Sequence, residues 1–150
     1  MEDDIPLYID AENILFLHLE DYVSPCMLPS KADIWYPLYR LFKDGRPADE
    51  GVFDNRPFID EGRRILILQQ YRSNILQPAL FRYPEDAHAF LRLFDFANKE
   101  SGCFSAISGG SFRVLGLDDE KIVYAKQYAG RTEEYECLRR DITMLPLKME

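Results

Sequence analysis

The chain has 150 residues, 47% of them hydrophobic and 13% aromatic, with 26 acidic against 18 basic side chains and a net charge of -8. So apolar a chain is not a disordered one, and its acidic balance argues against nucleic acid or an anionic membrane surface as partner. No apolar run approaches the roughly 20 residues of a membrane-spanning helix. The acidic start Met1-Glu2-Asp3-Asp4 is unlike a secretory signal, so one cytoplasmic domain spanning 1–150 is expected.

Taken in order, Ile5–Ile9 reads as an edge strand, because Pro6 removes a ladder donor. In Asn13–Leu19, Ile14, Phe16 and His18 fall on one strand face and Leu15, Leu17 and Leu19 on the other. A helix capped by Asp10 competes, and the strand is favoured. Ser24–Pro29 is a loop, and Ser30 caps a possible short helix over 30–36. The alternation in Trp35–Phe42 also fits a strand, ended by the Asp44-Gly45 turn. Residues 44–62 form the longest irregular segment, rich in carboxylates and expected at the surface, with Phe53 and Phe58 docking part of it on the core. Ile65–Leu68, apolar on every side, suits a central strand, and Ala79–Tyr83 a further short one.

Pro84 suits the first position of a helix, and Glu85 and Asp86 complement its dipole. Ala87, Phe90, Leu91, Phe94 and Ala97 recur at helical spacing, and Gly102 is placed to end the helix. The period then changes. Phe104–Ile107, Phe112–Leu117, Lys121–Gln127 and Glu133–Leu138 read as strands separated by Ser108-Gly109-Gly110-Ser111, Asp118-Asp119-Glu120 and Ala129-Gly130-Arg131. Asp141–Leu147 is a C-terminal extended segment. The expected fold is therefore α+β: one antiparallel sheet, a meander in the C-terminal half, packed against a single main amphipathic helix at about 84–101.

Motifs for chemistry are sparse. Cys26, Cys103 and Cys137 show no ligand spacing and read as buried reduced thiols. His18 and His88 have no second ligand nearby, so no metal and no cofactor are expected. No nucleophile motif such as GxSxG occurs. The Ser108–Ser111 turn lacks the Lys-Ser/Thr of a phosphate loop and reads as a hairpin turn. Asp119-Glu120-Lys121 has the order of a nuclease carboxylate–lysine pair, but it sits in a polar turn.

Surfaces remain. Carboxylates gather at Asp49, Glu50 and Asp54 and again at Asp118, Asp119, Glu120, Glu133, Glu134 and Glu136, with Tyr135 beside the second group. Charge steers a basic protein and aromatic area holds it. The expectation is a non-enzymatic acidic binding protein, most concretely an immunity or inhibitor protein that blocks a basic toxin or nuclease by protein–protein contact. Two alternatives stand beside it. A small enzyme could assemble a site from His88 and carboxylates, which a deep pocket would favour. A structural subunit of a larger assembly would expose a large apolar patch.

Overall fold

In the computed structural model the described residues are 4–23, 36–71, 89–107 and 110–149. They form strands β1 (Ile5–Tyr8), β2 (Ile14–Val23), β3 (Tyr36–Lys43), β4 (Arg46–Pro47), β5 (Val52–Phe53), β6 (Phe58–Asp60), β7 (Ile65–Tyr71), β8 (Ala89–Asp95), β9 (Glu100–Ile107), β10 (Ser111–Leu117), β11 (Lys121–Tyr128), β12 (Arg131–Leu138) and β13 (Leu145–Pro146). A 3₁₀ turn, Arg139–Asp141, follows β12. Ten strands make one sheet in the order β1-β2-β3-β5-β7-β8-β9-β13, with β4 on β3 and β6 on β7. The other three, β10-β11-β12, form a second sheet. Each described strand pairing is antiparallel.

The large sheet buries both faces. From one face Ile65, Ile67, Leu91, Leu93 and Phe104 meet Phe112, Ile122 and Tyr124 of the small sheet. From the other, Leu66, Leu68 and Phe94 join Leu15, Leu17, Leu41, Leu7 and Ile9. That second cluster unites strands far apart in one sheet, so the sheet curls over its own face. Arg64, just before β7, stands 3.7 Å from Asp10 in the β1–β2 turn, across the mouth of the curl. Leu147 and Met149 pack against the same cluster.

This architecture overturns the α+β expectation. Residues 89–101, assigned to the main helix, are β8, a turn and the start of β9; Pro84–His88 lie outside the described residues. The helical spacing misled because β8 is a central strand between two apolar layers. Ala89, Leu91 and Leu93 feed one cluster and Phe94 and Phe96 the other, so no polar face remains to display a period of two. Asp95 fixes the turn that follows, accepting from the Asn98 backbone N–H at 3.1 Å and its side-chain amide at 2.8 Å. Lys99 then adopts a left-handed φ of 55°. Gly102 is no helix cap. It sits in β9 because a Cβ there would lie 2.6 Å from the Thr143 carbonyl oxygen, where the chain crosses the strand.

Other expectations meet mixed outcomes. The strands foreseen at 5–9, 13–19, 35–42 and 65–68 are present as β1, β2, β3 and β7, and the meander strands as β10, β11 and β12. Residues 44–62 are not one surface loop: they contain β4, β5 and β6, and Gly51–Asp54 are buried. Ser108–Ser111 does not close a hairpin, since β9 and β10 belong to different sheets; Ser108 and Gly109 lie outside the described residues. So do 31–35, where a short helix was foreseen, and 79–83, while Tyr36 is already strand. Cys103 is exposed rather than buried and Cys137 partly so; Cys26 lies outside the described residues.

Candidate functional site

The ten residues singled out from the sequence do not form one surface. Asp118 organises the β10–β11 turn, accepting from the backbone N–H groups of Glu120 and Lys121 at 2.8 Å each, and these bonds hold its carboxyl below the usual range. Asp119 pairs with Arg63 at 2.8 Å, Glu136 with Lys121 at 3.1 Å and Glu133 with Arg131 at 3.1 Å. The Tyr135 hydroxyl also donates to Glu133, which lowers that carboxyl's pKa and raises the phenol's. The Tyr135 ring stacks on Tyr124. Glu120 and Glu134 are exposed. Gly110–Asp141 carries seven acidic and six basic residues, so the small sheet is nearly neutral.

Asp49 and Glu50 border a cleft of about 790 Å³ lined also by Gln70, Arg92, Ser101 and Leu147. Arg92 is its centre. Its Nη1 donates to Asp49 at 2.7 Å and to Gln70 at 3.3 Å, its Nη2 donates to Ser101 at 3.1 Å, and its guanidinium lies 4.5 Å from the Phe94 ring centroid. Asp49 also accepts the Gly51 N–H at 2.7 Å. The two charges thus satisfy each other and pin the 49–51 segment to β8. Burial is the largest influence on the nearby Cys103 thiol and raises its pKa, the opposite of what an activated nucleophile needs.

Asp54 is buried, 4% exposed, at the interface of the two sheets. Burial pushes its carboxyl up to about 6, against hydrogen bonds from Arg56 that lower it. It borders a second cleft, of about 390 Å³, with Phe58, Ile67, Leu91, Phe112 and Val114 among its walls.

The outer face of β1–β3 holds none of these ten residues. Pro6, Phe16 and Phe42 are cross-strand neighbours, as are Tyr8 and Ile14, and His18 and Arg40. Tyr8 is 53% exposed, Ile14 42% and Phe16 38%. His18 meets Asp4 at 2.7 Å and sets its ring edge-on to Phe42. Among the first 30 residues seven are acidic and none is Lys or Arg, so the β1 and β2 part of this apolar face lies on the most acidic part of the sequence, and β3 adds Arg40 beside His18. That run without a base was readable in advance; the face itself required β1 to pair with β2.

His88 lies outside the described residues. Among the described residues no group of His, Cys, Asp or Glu is placed to hold a metal ion, and no helix is long and apolar enough to cross a membrane. Compared with known proteins, the chain matches no family model, no curated protein and no solved structure.

Proposed function

We propose that this protein binds a basic protein through the outer face of β1–β3, as an inhibitor that covers a cationic substrate site. The observation that carries the reading is the coincidence of exposed Tyr8, Ile14 and Phe16 with a 30-residue stretch that holds seven carboxylates and no base. Apolar and aromatic area supplies contact, and carboxylates steer and select the partner. A second copy of the chain fits less well, because two such faces would bring like charges together. A nuclease toxin is the concrete form of the partner: carboxylates would stand where substrate phosphates stand.

The test is capture from native lysate at low salt, with elution by a salt step, using the wild type and the Ile14→Ser/Phe16→Ser variant. The expected result is one stoichiometric basic protein held by the wild type and lost from the variant. Equal retention by the variant, or an acidic partner that salt does not release, would overturn the reading.

A further inference from the structure

We propose that the cleft between the two sheets is a binding site for a small organic cation, an amidinium or guanidinium on an apolar body, held by the Asp54 carboxylate. Four observations carry it. The volume of about 390 Å³ lies in the range of small-molecule sites, which combine apolar walls with a few placed polar groups. Phe58, Ile67, Leu91, Phe112 and Val114 supply such walls from both layers. The Asp54 side chain is only 6% exposed, yet it borders the cleft. A guanidinium already rests on it: Arg56 Nε and Nη2 each stand 3.4 Å from Asp54 Oδ2.

Those contacts are long for charge-assisted pairs, which close to about 2.7–2.9 Å. Arg56 is also 51% exposed, so it can swing into water at little cost. It acts as an internal occupant that shows the chemistry the carboxylate accepts and gives way to a better-fitting cation. Arg113 borders the cleft too, but it is exposed where Phe112 is buried, and the alternation of a strand sends its side chain to the opposite face of β10. With a pKa of about 6, Asp54 is ionised at pH 7.5.

Benzamidine is the probe. It is titrated at pH 7.5 into wild type, Asp54→Asn and Arg56→Gln while backbone amide chemical shifts are followed. Saturable binding is expected, with the largest shifts at Asp54, Gln69, Leu91 and Val114. Asp54→Asn should weaken it by at least about tenfold, the scale of one lost charged hydrogen bond. Arg56→Gln should tighten it by about threefold by removing the competitor. The uncharged isostere benzamide should bind at least about tenfold more weakly than benzamidine. Shifts centred on Tyr8 and Phe16, equal affinity of the Asp54→Asn protein, no tightening in Arg56→Gln, or equal binding of benzamide would each overturn the proposal.

Discussion

Burial pushes the Asp54 carboxyl from its ordinary 3.8 up to about 6 in the fold, so between those pH values the folded state binds the extra proton. Stability from this group is full below about pH 4 and is lost as the pH rises through 6, the reverse of a salt-bridged aspartate. A shift of this size corresponds to about 2–3 kcal/mol. Asp54→Asn should therefore unfold at higher urea than wild type at pH 7.5, by about 2 kcal/mol, and the gap should close near pH 4. A constant gap across that range would show that the carboxylate is not the cause. Nothing local in Phe53-Asp54-Asn55 announces this burial. It follows from β5 pairing with β7, which draws Phe53 into the core and takes the next residue with it.

The polar alternation of β12 and the short apolar run of β7 were legible as strands, and β8 was not. In β2, Leu15 and Leu17 are buried while Ile14 and Phe16 are exposed, but all four are apolar, so their order offers two faces without saying which is buried. In β8 both sets are apolar or covered, and the same residues satisfy a helical stripe. Only the partners β7 and β9 decide the matter, and their pairing is non-local. The chain crossing over β9 was equally invisible, and it yields a prediction. Gly102→Ala would place a methyl against the Thr143 carbonyl, Ile142 and Met144 and should cost about 1–3 kcal/mol by forced displacement. Gly116→Ala, with nothing within 4 Å, should differ little from wild type in urea unfolding. Equal stability of both variants would mean that residues 142–144 yield freely.

Across the whole molecule the charge is uneven. The small sheet pairs Glu133 and Glu136 with its own Arg131 and Lys121, whereas Glu12 is exposed on the base-free N-terminal stretch and Glu20, also exposed there, meets Arg40 only at 3.9 Å. Once the basic partner is in hand, Glu12→Lys/Glu20→Lys should slow association by about tenfold at low salt and flatten its salt dependence, with dissociation changed far less. Stopped-flow association at two ionic strengths measures this. An unchanged on-rate would move the encounter surface to Asp118, Asp119 and Glu120. The sequence pointed to an acidic binder but ranked its carboxylates by local density. It could not show which of them this chain neutralises itself: Arg63 reaches Asp119 and Arg92 reaches Asp49 only after folding.

A ribosome makes this chain in one direction, and the register of β13 has a consequence for that process. Leu145 and Pro146 pair with Ser101 and Glu100, so the last strand of the large sheet is translated after the whole of the small one. While β10, β11 and β12 emerge and form their local ladder, that edge of β9 has no strand partner among the described residues. An open strand edge recruits other strands, so the nascent protein is most prone to aggregation in the interval between β9 and β13. Slower translation across the small sheet lengthens that interval.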